Sequence, residues 1–498
     1  MKLNYNIYIK QMLLALIFMS LGCDGYLSEL PDNRTTIDNP DKISQLITGA
    51  YPLATYQRMA ELMSDNSGQV EFPKNENRLE ESLYNWNDLT DFVTDADSPN
   101  YYWNNTYAAI AQANAALDAI AKLQGQFDLD AQKGEALLAR AYNHFMIANF
   151  WSKPYDPNTA STDVGIPYVL EPEEEFTKEY KRATLQETYD YIEADLVEGL
   201  SKVENTYDAP KFHFTKEAAA AFAARFYLYK GDWDKVIQYT STVLTAPQIQ
   251  LRDVVANSVL TYDEKIVRYS SVDEDTNLLV GSPISSWRRR YDRSNHGLSQ
   301  DKQDELINGG NPFQKRWAYN LLYLDISLVS FVPKYREYFK VTNPAANIGI
   351  PHTGVVVFDR DEAILNRAEA YVMKEDYERA LNDLNIFLSK KTEGHDPATD
   401  VLTEVMVESQ YPVVPNEYTP FYTMNAKQTS FVKLIAELRR REFIHEGLRW
   451  FDVRRFNLRV EHKITRFGLP LVLDKMDLRK VLKIPANAVN AGLEDNPR

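Results

Sequence analysis

Cysteine is almost missing from this chain: Cys23 is the single one in 498 residues, so no intramolecular disulfide and no cysteine-built zinc cluster can form. Glycine is scarce too, at 19 residues, well under the roughly 7% of ordinary usage, which argues against a fold made of many tight turns and favours helices. Basic charge is in deficit, with 55 Lys and Arg against 71 Asp and Glu and a net charge of −16. That field repels phosphate backbones, so nucleic acid is not an expected partner. The seven histidines never fall three or four residues apart, the spacing by which a helix shares a zinc ion. No glycine-rich phosphate loop and no GxSxG nucleophile elbow is present. What remains is 44% hydrophobic and 25% charged, a globular composition long enough for two or three packed units or one solenoid-like body.

The amino terminus is of another kind. Lys2 and Lys10 precede the apolar run Met12 to Met19, which has the charge and length of an export signal and is too short to span a bilayer. The run ends in Ser20-Leu21-Gly22-Cys23. A small residue before a lone cysteine there resembles the lipobox of bacterial lipoproteins, with Ser20 where that motif commonly has Leu. Residues 1–22 therefore read as a lipoprotein signal peptide. Residues 23–40 read as a lipidated start and polar tether, and 41–498 as the body.

Within the body, YYWNNTYAAIAQANAALDAIAKL (101–123) has helical spacing of its apolar positions, and further helices are expected near 135–150, 185–203 and 215–229. Shifting 221–244 by 144 positions lays it on 365–388, with Ala224 on Ala368, Tyr227 on Tyr371, Asp232 on Asp376, Trp233 on Tyr377 and Leu244 on Leu388. A small Ala for close approach, an aromatic to fill the groove, a polar turn and a second helix make the packing logic of a tetratricopeptide hairpin. A weaker copy lies at 136–148. Three stretches lose this periodicity: 65–97, 246–359 and 393–429. In the second, 355–358 reads as a short strand. Long loops on a rigid scaffold commonly carry function. The fold expected is mainly α, with tetratricopeptide-like hairpins as scaffold and long irregular loops with minor β structure on the ligand face.

VFDRDEAILNRAEAY (357–371), ELRRREFIHEGLRWFDVRRF (437–456) and IPANAVNAGLEDNPR (484–498) resemble successive signatures of the SusD/RagB family of cell-surface lipoproteins. The resemblance extends to the lipobox and to the helical segments above, in family order. It departs at Leu438-Arg439, where the family usually reads Glu-Arg. It implies a helical fold with a loop-built binding face, docked on a SusC-like TonB-dependent outer-membrane transporter and anchored to the outer membrane by lipid on Cys23. The implied ligand is an oligosaccharide, or in some relatives a peptide. No catalysis and no cofactor are implied.

Candidate chemistry can be weighed beside that. Glu442 and Glu446 stand one helical turn apart with Arg449 beyond, a pair that a glycosidase could use. Arg439, Arg440, Arg441 and Arg449 surround them, however, and a charge-compensated carboxylate makes a poor general acid. Asp273, Asp275 and Asn277 imitate the start of a calcium loop, but Leu278 and Ile284 replace the required Gly and Glu. Aromatics are the remaining signal, since a sugar stacks its C–H face on a ring while its hydroxyls take hydrogen bonds. Trp103, Trp233 and Trp450 sit in helical patterns and read as core. Trp86, Trp287, Tyr291 and Trp317 lie in polar irregular text and are the candidate ligand platforms, with Asp65, Asn66 and Arg288 as polar candidates.

Overall fold

The 144-residue repeat is present in three dimensions. The computed structural model describes residues 37–70, 77–89, 94–173, 179–245, 249–291, 293–319, 322–323, 330–464 and 469–498. Cys23 and the export segment lie outside them. Among the described residues are seventeen helices and five two-stranded antiparallel sheets. The scaffold is made by α1 (Pro40–Ile47), α2 (Gln57–Met63), α3 (Pro99–Lys122), α4 (Asp130–Trp151), α5 (Leu185–Lys202), α6 (Lys216–Lys230), α7 (Trp233–Val243), α8 (Arg360–Met373), α9 (Tyr377–Ser389), α10 (Ala426–Glu442) and α11 (Leu448–Arg455).

The hairpin α6–α7 maps onto α8–α9 at the same shift. Both second helices are capped by an aspartate, Asp232 accepting from the Lys235 amide and Asp376 from the Arg379 amide. Both turns need a left-handed residue, met by Gly231 at φ 77° and Glu375 at φ 59°. The weaker copy belongs to a third hairpin, α4–α5. Its two helices are joined by a bidentate pair, Arg140 to Asp195 at 2.7 Å on both forks, and α8–α9 is joined likewise by Arg367 and Asp383 at 2.7 Å. In α6–α7 the corresponding positions are Ala223 and Tyr239, and Tyr239 stacks on Tyr227 at 5.7 Å instead. Arg225 of α6 then reaches across to Glu362 of α8, its Nε donating at 2.8 Å, which bolts one hairpin to the next.

The four helices expected from periodicity correspond to α3, α4, α5 and α6. All three stretches expected to be irregular contain short helices, among them Arg78–Tyr84 within 65–97, Tyr262–Tyr269 within 246–359 and Glu404–Gln410 within 393–429. Each of these is started by a side-chain cap, Asn77, Thr261 and Thr403. The 246–359 segment folds back over the scaffold. Its strand β1 (Asn277–Gly281) pairs antiparallel with β4 (Val355–Asp359), and between them β2 (Glu337–Asn343) and β3 (Ile348–Thr353) form a protruding hairpin. β4 runs straight into α8, where Asp359 caps the helix. The irregular face is therefore continuous with the repeat scaffold.

Candidate functional site

The predicted platforms point inward. Trp287 is 1% exposed and Tyr291 1% exposed. They sit at the two ends of one turn, Trp287–Arg290 with its following residue, so both rings face the core while the arginines between them face out. The Trp287 Nε1 donates to the His445 carbonyl at 3.0 Å, and Tyr291 packs edge-on against Phe331 at 4.8 Å. Trp86 is 5% exposed, donates to the Met63 carbonyl at 2.9 Å and stacks on His462 at 4.3 Å. Trp317 is 5% exposed under the Arg441 guanidinium, 5.2 Å from its ring centre. As placed, none of the four presents a ring face to solvent, and the reading of them as ligand platforms is corrected. Large rings in a polar loop are what pin that loop to the core, since burying a Trp is worth more than any contact it makes at the surface.

Asp65 and Asn66 are anchors of the same kind. Asp65 accepts both forks of Arg449 at 2.7 and 2.8 Å. Burial opposes its charge, but Arg440 and Arg449 hold the carboxyl far below the usual carboxylate range. Asn66 accepts from Arg440 at 3.1 Å.

Glu442 and Glu446 do not share a helix face. α10 ends at Glu442, and residues 443–447 form a turn with His445 at φ 71° and Gly447 at φ 75° before α11 begins. A Cβ on Gly447 would lie 2.7 Å from the Ala60 Cβ, so α2 and this turn meet at a contact only glycine allows. Glu442 accepts from the Tyr319 hydroxyl at 2.6 Å and pairs with Lys391 at 2.8 Å. Glu446 pairs with Lys334 at 2.6 Å and takes the Tyr269 hydroxyl. Both carboxylates are buried and engaged by lysines, not by the expected Arg439, Arg440, Arg441 and Arg449, which pair with Asp452, Glu305, Glu437 and Asp65. Glu61 of α2 clamps the turn, accepting from the His445 amide at 2.8 Å and the Gly447 amide at 3.3 Å. Burial pushes its carboxyl up to about 7.

Among the predicted polar residues, Arg288 alone lines an open cleft. This cleft, of about 640 Å³, lies between the helix Tyr262–Tyr269, the turn Trp287–Arg290 and the base of the β2–β3 hairpin. Its walls carry Asp263, Val267, Arg288, Arg289, Arg293, Tyr335, Arg336 and Glu337. Its floor is fixed from inside. The His445 carbonyl accepts from Trp287 at 3.0 Å and from the Tyr335 hydroxyl at 2.6 Å, and Asp97 accepts from Ser285 and Ser286 at 2.6 Å each. Arg288 donates to the Tyr262 hydroxyl at 2.7 Å. Arg289 pairs with Glu337 and lies 4.9 Å over the Phe339 ring, and Arg336 lies 4.5 Å over Tyr338. Tyr338 is 45% and Phe339 39% exposed. These are exposed aromatics beside the cleft, and sequence reasoning missed them. Their signal was the strand text EYFKVTN and IGIPHT flanking Pro344-Ala345-Ala346-Asn347. Among the described residues no cluster of His, Cys, Asp or Glu is arranged to hold a metal ion, and no helix is long and apolar enough to cross a membrane.

A helical-hairpin scaffold whose insertions build a fixed, cleft-bearing face defines the class: a repeat protein that presents a loop-built surface. A family model, SusD-like_3, described as starch-binding and associating with outer membrane, matches residues 25–228. No curated protein matches the sequence. Solved structures share the fold. A SusD superfamily protein from Bacteroides thetaiotaomicron VPI-5482 is 19% identical with a TM-score of 0.67, over 93% of this chain and 100% of that one. A SusD-like carbohydrate binding protein from Bacteroides vulgatus ATCC 8482 is 17% identical with a TM-score of 0.58, over 91% and 96% of the two chains. A laminarin binding SusD-like protein is 16% identical with a TM-score of 0.58, over 92% and 99%. The matched segment is similar to that family, and the solved structures share the fold of this chain.

Two outcomes follow from the geometry. Trp287→Ala should lower stability by about 3 to 5 kcal/mol through the cavity it leaves, read by thermal and urea melts. A melt unchanged by the substitution would restore the ring as a surface platform. Glu61, with its carboxyl raised from 4.5 to about 7, favours the folded state fully below its unfolded value, and that contribution is lost as pH rises through about 7. Melts of wild type and Glu61→Gln between those limits should show wild type losing ground to the variant as pH rises, and parallel curves would show that the carboxyl is not held neutral.

Proposed function

We propose that the chain is a cell-surface nutrient-binding lipoprotein that captures oligosaccharides and delivers them to a SusC-like TonB-dependent outer-membrane transporter. The observation that carries this reading is the match of residues 25–228 to a starch-binding family associated with the outer membrane. Solved relatives of the same fold that bind carbohydrate or laminarin support it. In this reading residues 1–22 direct export, Cys23 carries lipid, residues 23–40 tether the body, and segments 65–97, 246–359 and 393–429 make the ligand face. The open cleft lies in the second of these. Binding without turnover is supported by the buried, cation-paired state of Glu442 and Glu446, which leaves neither carboxylate placed as a general acid.

Affinity electrophoresis of the full chain in gels containing laminarin, amylopectin or an acidic polysaccharide tests the capture. Retardation by at least one glycan without release of reducing ends is expected, while retardation by none, or hydrolysis, would overturn it. The anchor is tested separately. Cys23→Ala should move the protein from the membrane to the soluble fraction, because multiple acyl chains hold a protein stably at a bilayer and their loss leaves only weak contacts. A variant that stays with membranes lacking its transporter would argue against lipidation.

A further inference from the structure

Nine arginines and three lysines are buried among the described residues. Ten of these twelve cations have a carboxylate oxygen within 4.0 Å. The two exceptions are Arg454 and Lys480. Arg455, the next residue of α11, shows the usual case, meeting Glu369 at 2.7 Å and Asp452 at 2.8 Å. Arg454 donates from Nη2 to the Ser152 carbonyl, and its buried Nε has no hydrogen-bond partner. Lys480 donates to the Leu458 carbonyl at 2.6 Å and is likewise without a carboxylate at that range. Burial pulls the Arg454 guanidinium down to about 10, and burial with the added repulsion of Arg454 pulls the Lys480 ammonium down to about 8. At neutral pH both remain mainly protonated, so positive charge stands inside the fold without the match that every other buried cation has.

Arg454 lines a pocket of about 20 Å³ between the end of α4, α5, α6, residues 421–422 and α11. That is room for little more than one water or one monatomic ion. Tyr229 stands on the same wall, its hydroxyl buried and without a hydrogen-bond partner, while Leu228, Phe421 and Phe451 add apolar surface. We infer that this pocket binds a single small monovalent anion, of the halide class, on Arg454. A buried charge is tolerated where it is paired, and no carboxylate of the described fold is placed to pair this one. A water molecule accepts hydrogen bonds there but leaves the charge unbalanced, whereas an anion does both and takes the stronger, charge-assisted bonds. One negative charge matches the one unpaired guanidinium on the wall. A divalent oxyanion brings a second charge and a larger loss of hydration to a pocket that is largely apolar. The walls come from the hairpin α4–α5, the first helix of the next hairpin and α11, so the ion ties the repeat scaffold to its carboxy-terminal helix. Its binding is therefore read as stability. The pocket shares no lining residue with the cleft beside the β2–β3 hairpin, and the inference does not depend on glycan capture.

Thermal melts of the full chain in sodium chloride or bromide, set against sodium gluconate at equal ionic strength, test the site. Screening is common to the three salts, and gluconate is far too large for the pocket. The midpoint should rise with halide by about 1 to 3 °C relative to gluconate and then level off, as one saturable ligand requires. Arg454→Met keeps the length of the side chain and removes its charge, and its midpoint should be the same in halide and gluconate. An equal halide response in wild type and variant would overturn the inference, as would no halide response in wild type. A second measurement needs no variant. In wild-type crystals soaked in bromide, anomalous scattering at the bromine edge should show one ion within hydrogen-bond reach of the Arg454 guanidinium. A pocket with no bromide signal, even one filled by water, would show that the guanidinium is left unmatched and would remove the site.

Discussion

Lys391 holds the scaffold to its loops. Its side chain is wholly buried, and its ammonium group lies 2.9 Å from Asp361 and 2.8 Å from Glu442. Each partner reaches further. Asp361, in the first turn of α8, also accepts from the Arg252 amide at 3.0 Å and the Thr276 hydroxyl at 2.6 Å, and Glu442, the last residue of α10, accepts from Tyr319 at 2.6 Å. Arg252 then lies 3.9 Å over the Tyr269 ring and donates to Asn277 at 2.7 Å. Two scaffold helices and five residues of the irregular 246–359 segment thus meet at one desolvated set of charges. Buried charges are costly unless every partner is present, so the set forms only when scaffold and loops are both in register. That makes it a device for fixing one arrangement more than a source of net stability.

The turn at 443–447 extends the same logic to the cleft. It ends α10, starts α11, and puts the His445 carbonyl where both Trp287 and Tyr335 donate to it. Left-handed backbone at a histidine costs of the order of 1 to 2 kcal/mol. Here the Glu61 carboxyl accepts from the amides of His445 and Gly447 and supports it. The cleft floor is therefore determined from beneath by helices that contribute none of its lining. A binding face built this way is rigid, and its affinity can come from groups already in position.

A long acidic chain gains solubility from its net charge, and the same charge limits what it can hold at its surface. The turn Trp287–Arg290 with Tyr291 shows how side chains are sorted between core and surface. The division of labour inside that turn follows from helical geometry: residues four apart share the buried side, and those between them face water.

The helical scaffold was legible in the sequence because it rests on local rules. The apolar spacing of 101–123, the aspartate caps at 232 and 376, and the 144-residue self-similarity each need only a few neighbouring residues to be recognised. The overall fold class followed from these, and the family resemblance from motifs carried by the same elements. The site was not legible in that way. Trp86, Trp287, Tyr291 and Trp317 stand in polar text that suggests exposure, yet each is buried by segments distant in sequence. Trp287 meets residues 158 positions away, and Asp65 is paired 384 positions away. Whether Glu442 and Glu446 lie on one helix was likewise settled by α2, whose Glu61 stabilises the break between them. The sequence by itself determined the long scaffold helices, since their apolar spacing and caps are patterns a few residues long, but not the short capped helices within the irregular stretches. Only the tertiary structure decided which rings and which arginines face the solvent, because burial is fixed by long-range packing that no local pattern records.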